Sequence, residues 1–208
     1  ANTEARAALR ERLDEINEIH KTRIELCAKL NECRYSPEID PDNFVSPEEA
    51  SANPNPYFPL VQGRVYTYNA ETEEGELEVI VFTVTRKTRE ILGVTCTEIR
   101  DIVTIDGELH EDTRDWYAQD VDGNVWYFGE AVLNYENDKV TDVDGSFEAG
   151  EDGAHAGTIM RINPQVGDIW REEFDLNNAE DIAEILELGV TVDVIAGQFT
   201  NCLKTANT

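Results

Sequence analysis

Residues 112–130, Asp112-Thr-Arg-Asp-Trp-Tyr-Ala-Gln-Asp-Val-Asp-Gly-Asn-Val-Trp-Tyr-Phe-Gly-Glu130, constrain the fold more than any other stretch of the chain. Trp116 and Tyr117 form one aromatic run and Trp126, Tyr127 and Phe128 another, residue types that suit a pleated, half-buried surface. Asp122-Gly123 lies between them, flanked by Asp120 and Asn124, and has the chemistry of a type I′ turn. The stretch therefore reads as a β-hairpin, the wall against which other strands pack.

The same period of two extends through the surrounding chain. Arg64 to Tyr68, Leu77 to Thr85, Val94 to Asp101, Ile102 to Ile105, Ala131 to Tyr135 and Lys139 to Val143 alternate apolar or β-branched with polar residues. Glu74-Gly75, Asp106-Gly107 and Asn137-Asp138 supply turns, and Gly93 supplies a bend. The expected fold is mainly β: an antiparallel sheet, a sandwich or an incomplete barrel. One short helix is expected near 179–188, with Asn178 as N-cap, Ile182, Ile185 and Leu186 as its apolar face, and Gly189 at its end.

The chain before residue 60 has a different character. Residues 3–34 read as one amphipathic helix, with Leu9, Leu13, Ile16, His20, Ile24 and Cys27 recurring every three or four residues. Six of the seven prolines fall within residues 36–59, a density that suits an extended strap. The expected organisation is an N-terminal helix over 1–35, a proline-rich linker over 36–59 and a β-rich domain over 60–208.

Charge follows the same division. The net charge is −27, yet residues 1–36 hold seven acids and seven bases, so the whole excess lies in residues 37–208. A body this acidic is poorly suited to nucleic acid or an anionic membrane. No apolar run approaches the roughly 20 residues of a membrane span. No signal peptide is legible at Ala1-Asn2-Thr3, so an exported chain would be in its mature form.

An internal repeat relates the two ends of the body. Asn55-Pro56 leads through Gly63 and Val65-Tyr66 to Gly93 and Cys96. Asn163-Pro164 leads through Gly167 and Ile169-Trp170 to Gly197 and Cys202. The Asn-to-Cys separations are 41 and 39 residues. The repeat points to a Cys96–Cys202 disulfide, leaving Cys27 and Cys33 as the complementary pair, with free buried thiols as the alternative. A Cys27–Cys33 bridge needs the helix to end near Leu30.

Asn55-Pro-Tyr-Phe-Pro-Leu60, Asp115-Trp-Tyr-Ala-Gln-Asp120, Gly123-Asn-Val-Trp-Tyr-Phe-Gly-Glu130 and Cys202-Leu-Lys204 together resemble a group of uncharacterised bacterial secreted or lipoprotein domains rich in β structure. The resemblance covers most of residues 53–205 and implies a location outside the cytoplasm, at the cell surface or in the periplasm. It brings no activity, ligand or catalytic residue. Those domains continue past the cysteine with further strands, so a strand near 199–205 is expected to have one unsatisfied edge, open to a strand from another chain.

No catalytic set is legible. A Gly-x-Ser-x-Gly element is absent, and His20, His110 and His155 stand in unrelated contexts. Asp120 to Asn124 departs from the EF-hand pattern, because Tyr127 to Gly129 continue as apolar strand. The loop bearing Asp142, Asp144, Glu148, Glu151 and Asp152 is the better candidate for a cation, which would be Ca2+; no other cofactor is expected. The expected function is therefore an exported, non-enzymatic structural or interaction protein. It would self-assemble through the helix stripe (Leu9, Leu13, Ile16, Ile24) and an open sheet edge, as a filament in preference to a ring. The alternatives are a carrier of an apolar ligand in a curved sheet and a calcium-binding surface domain.

Overall fold

A computed structural model describes residues 2–32 and 34–208 of the chain. It divides into two compact units, Ala1–Ser36 and Pro37–Thr208.

The first unit is a single helix, α1 (Asn2–Leu30). It stops at Leu30, earlier than the sequence pattern suggests, because Asn31 takes φ 55°, a left-handed conformation that asparagine tolerates. The Glu32 amide then donates to the Cys27 carbonyl (3.0 Å) and the Asn31 amide to that of Ala28 (3.3 Å), satisfying two carbonyls of the last turn.

The second unit is mainly β. Its strands are β1 (Val65–Glu71), β2 (Leu77–Ile91), β3 (Val94–Ile105), β4 (Glu108–Gln119), β5 (Val125–Ala131), β6 (Asn134–Glu136), β7 (Lys139–Asp142), β8 (Phe147–Glu148), β9 (His155–Met160), β10 (Ile169–Arg171), β11 (Glu173–Phe174), β12 (Ile182–Val194) and β13 (Gly197–Asn207). Ten of these form one antiparallel sheet, curled into a half-barrel, in the order β1-β2-β3-β4-β5-β9-β11; β6 joins β4 and β7, and β8 joins β5. The remaining three form a second sheet in the order β10-β12-β13.

The aromatic hairpin sits at the centre of the large sheet, as β4 and β5. Its connection is not the type I′ turn expected, since Asp122 keeps a negative φ and Gly123 alone is positive at 96°. The Gly123 amide donates to the Asp120 carbonyl (3.0 Å). The Asp120 carboxylate accepts from the Asn124 amide (2.8 Å), Asn124 Nδ2 (2.8 Å) and Trp126 Nε1 (2.9 Å). A longer loop thus satisfies its own polar groups.

Two assignments from the sequence are corrected. The segment at 179–188 is not a helix: Asn178 lies in a turn with Asp175, and residues from Ile182 onward form β12. Its apolar spacing fits either period, and Gly189 marks a register shift in the β12–β13 ladder where a helix end was read. Residues 36–59 are not a linker, because from Pro37 onward they belong to the β unit. Pro41 opens a 3-10 turn and Pro47 opens α2 (Pro47–Ala52), first-turn positions at which the missing amide hydrogen costs nothing. Ser46 Oγ caps α2 by accepting from the Glu49 amide (3.2 Å).

This segment closes the core. Leu60 is fully buried with Val84, Ile99, Tyr117, Val125 and Tyr127, and Phe58 packs on Phe82 and Tyr117. On the other cluster Phe44 meets Trp126 and Phe128 edge-on. Asn55, also fully buried, ties the segment to the hairpin. Its amide donates to Gln119 Oε1 (2.9 Å), its Nδ2 to the Gly123 carbonyl (2.9 Å), and its Oδ1 accepts from the Tyr57 and Phe58 amides (2.9 and 3.1 Å).

The internal repeat has a structural counterpart. β1-β2-β3 and β10-β12-β13 share strand order, and both begin at a glycine of positive φ, 85° at Gly63 and 88° at Gly167. The Gly63 amide donates to the Val84 carbonyl (2.7 Å) while the Val84 amide donates to that of Arg64 (3.0 Å). Gly167, Ile185 and Asp168 repeat this exchange at 2.9 Å and 2.9 Å. Replacing Asn55 by alanine removes the partner of the part-buried Gly123 carbonyl and of two part-buried amides, which is expected to cost about 2 kcal/mol. Urea unfolding checks this; a loss below about 1 kcal/mol would show that the clamp is dispensable.

Candidate functional site

Three features of the chain stand out for what they leave exposed or bury against its chemistry: the stripe on α1, the β12–β13 arm and a set of interior carboxyls.

On α1, Leu9, Leu13, Ile16 and Ile24 are between 50 and 61% exposed. The four residues predicted to mediate contact therefore lie open on the single chain. Cys27 on the same stripe is a free thiol; Cys33 lies outside the described residues.

The arm is the part of β12 and β13 beyond Ile185. Its base is held by Trp170, Ala183 and Ile185, which form a small buried cluster of their own. Past this cluster the ladder places Leu188 opposite Leu203, Val190 opposite Cys202 and Val192 opposite Phe199. Leu186, Leu188, Val192, Val194 and Phe199 are nevertheless exposed, and Ile195 in the connecting turn is fully so. Apolar cross-strand pairs normally stabilise a sheet by packing against a second layer. Here Leu188, Val192 and Phe199 are exposed, while Val190, Cys202 and Leu203 are half-buried.

Among the described residues β13 pairs with β12 on one side only, so it is an edge strand. In the first half of the repeat its counterpart β3 is covered on the outer side by β4 (Ile99 opposite Asp115, Thr97 opposite Tyr117). Residues 194–208 contain no acidic residue and one base, Lys204, within a chain of net charge −27. The open edge is thus free of the charge that covers most of the surface. Sequence reasoning anticipated the edge at 199–205 but missed the β12 side of the arm, having read it as helix.

The Cys96–Cys202 disulfide is not formed: both thiols are free. Cys96 is buried on β3 among Ile91, Val94, Trp116 and Phe128, where burial pushes its thiol well up, and Cys202 lies on the arm in the other sheet. Equivalent places in a repeat lie in separate copies of the motif, so equivalence does not bring them together.

The acidic loop does not gather its carboxylates. Asp142 accepts from Asn134 Nδ2 (2.6 Å) and Thr141 Oγ1 (3.0 Å), which hold its carboxyl below the usual range, and Glu148 is ion-paired with Arg89. Asp144 is exposed, and Glu151 and Asp152 sit on an exposed turn. Among the described residues no three His, Cys, Asp or Glu side chains are grouped to hold a metal ion.

The carboxyls that composition does not distinguish lie instead inside the half-barrel. Asp115 on β4 is opposite Glu130 on β5, so both project from the same face. Tyr127 Oη donates to Asp115 Oδ1 (2.7 Å), and the Tyr127 ring stacks on Tyr117 at 4.5 Å. Burial, with neighbouring negative charge, pushes Asp115 up to about 7, Glu130 to about 8 and Asp101 to about 6. Glu172 and Glu173 are raised to about 7, chiefly by burial and then by Asp181. These groups carry protons at mildly acid pH.

Searches of protein-family models, curated proteins and solved structures find no match to this chain. The sequence motifs 55–60, 115–120, 123–130 and 202–204 map onto the clamp at Asn55, strands β4 and β5, and the arm.

The raised carboxyls make stability depend on pH with a definite sign. The unfolded chain releases these protons near pH 4, whereas the folded chain keeps them to pH 6–8. Stability is therefore expected to fall as pH rises from about 4 to about 8, and to level off above that. Urea midpoints at pH 5.5 and 8.5 test this, with Glu130→Gln raising the midpoint more at pH 8.5 than at pH 5.5. An equal effect of the substitution at both pH values would remove the electrostatic account.

Proposed function

We propose that the chain is a non-catalytic structural or interaction subunit that self-assembles by strand addition at the outer edge of β13, outside the cytoplasm. The observation that carries this reading is the open edge, accompanied on the arm by exposed apolar side chains and free of acidic residues, on an otherwise strongly acidic molecule.

An unpaired edge presents a row of amide and carbonyl groups, which natural proteins commonly blunt with lysine, proline or a short strand. β13 runs for 11 residues without proline and with one lysine. Between Phe199 and Cys202 the strand is irregular, with Asn201 at φ 60°, whereas from Cys202 to Asn207 every residue of β13 is paired with β12, the bulges in that stretch lying on β12. Two molecules of the same strong charge repel, so contact is favoured where that charge is missing. The location outside the cytoplasm rests on the secreted-domain motifs and the acidic surface, since the disulfide that would have supported it is not formed.

The carrier reading has less support. It calls for a cavity lined by aliphatic side chains, whereas the concave face holds Leu60, Tyr117 and Tyr127 in close packing beside Asp115. A cavity of about 850 Å³ between β4, β6 and β7 is lined by Glu76, Asp106, Glu108, His110, Glu136 and Asp142, among others, and is open.

Thr200→Lys together with Thr205→Lys places two charges on the edge while leaving the buried cluster at Trp170 untouched. The expected result is a fall in assembly mass by light scattering with no change in far-ultraviolet circular dichroism. An assembly of unchanged mass would overturn the strand-addition reading.

A further inference from the structure

We infer that α1 is a second self-association element, pairing antiparallel with α1 of another copy of this chain. The inference rests on the reading of the chain as a self-associating subunit, but on a different surface.

The stripe Leu9, Leu13, Ile16, His20, Ile24, Cys27 covers 18 residues in five steps, a mean of 3.6, which is the period of the α-helix itself. The stripe therefore runs straight along the helix and offers one continuous seam. Helices in proteins draw most of their stability from packing such a face. Leu9, Leu13, Ile16 and Ile24 are each at least half exposed.

Charge selects the occupant. With seven acids and seven bases in residues 1–36, two copies of this unit meet without net repulsion, while the body carries the full excess of 27 negative charges. The polar faces mix both signs, as on Glu18 and Lys21 (3.8 Å), which suits a helix partner. A membrane-surface helix would instead concentrate lysine and arginine on its polar face.

The same charge selects the orientation. A parallel pair would bring both acidic bodies to one end. An antiparallel pair attaches them at opposite ends of a helix about 43 Å long, several times the screening length of about 8 Å at physiological salt. The spacing accommodates this orientation completely: Leu9 meets Cys27 of the other copy, Leu13 meets Ile24 and Ile16 meets His20. Every stripe residue then has a partner, no charged residue enters the seam, and the two His20 side chains stay apart.

The test uses the full chain carrying the two lysines at Thr200 and Thr205, so that α1 is read alone. Light scattering is expected to give a dimer, and adding Leu13→Glu and Ile16→Glu to give a monomer of 23.4 kDa. Orientation is read by adding Leu9→Cys, with Cys33 and Cys202 changed to serine, and oxidising with diamide. Two thiols then give two protons and two electrons to the diamide nitrogen pair and form one S–S bond. Crosslinked dimer is expected with Leu9→Cys present and not with Cys27 alone. Efficient crosslinking through Cys27 alone would overturn the antiparallel arrangement. A monomer in the lysine-edge chain would overturn the α1 pairing while leaving strand addition intact. A wild-type chain that is itself monomeric would overturn both.

Discussion

The half-barrel depends on how a proline-rich segment is made to cover its open face. Prolines lack amide donors, so such a segment meets the sheet backbone only at the isolated bridge of Phe44 to Asp120 and is otherwise held by side chains. Asn55 does this by engaging Gln119 and Gly123 on the hairpin while ordering the Tyr57 and Phe58 amides, and Gln119 Nε2 returns a bond to the Asn53 carbonyl (3.0 Å). Phe58 and Leu60 are thereby delivered to the aromatic cluster. One buried polar side chain, fully satisfied, positions the apolar residues that close the core.

What could be read from the sequence was governed by period. Where alternation was strict and turn residues were strong, as from Val65 to Ile105 and through the hairpin, strand positions emerged directly. Residues 182–194 failed because Ile182, Ile185 and Leu186 fit a helical face as well as a strand. The true signal there was negative: β-branched Val190, Thr191, Val192 and Val194 continue past Gly189, where a helix would have stopped. The prolines misled for a related reason. At Pro41 and Pro47 they initiate turns of helix. The stripe on α1 was legible in full, since it needs only one-dimensional spacing. The interior carboxyls were not, because among so many acidic residues only three-dimensional burial separates Asp115 and Glu130 from the solvated majority.

Those carboxyls impose a compromise. Placing Asp115, Glu130 and Asp101 on the concave face makes the interior tolerant of acid and strained by base. The opposite tendency comes from Asp112, which Arg100 grips with two bonds (2.9 and 2.7 Å) and holds below the usual carboxylate range. That pair is at the sheet surface, where solvent weakens its contribution. Burial decides which group governs, and the interior set is the more deeply buried.

The small cluster of Trp170, Ala183 and Ile185 anchors the arm at one end only. Backbone hydrogen bonds beyond it lie within an exposed two-stranded ladder, the kind that opens locally without global unfolding. Their amide protons will exchange with solvent far faster than those of β3 to β5. The arm is therefore its own reporter: whatever seats against β13 will slow exchange from Leu186 to Lys204 and leave the rest of the protein's protection pattern where it was.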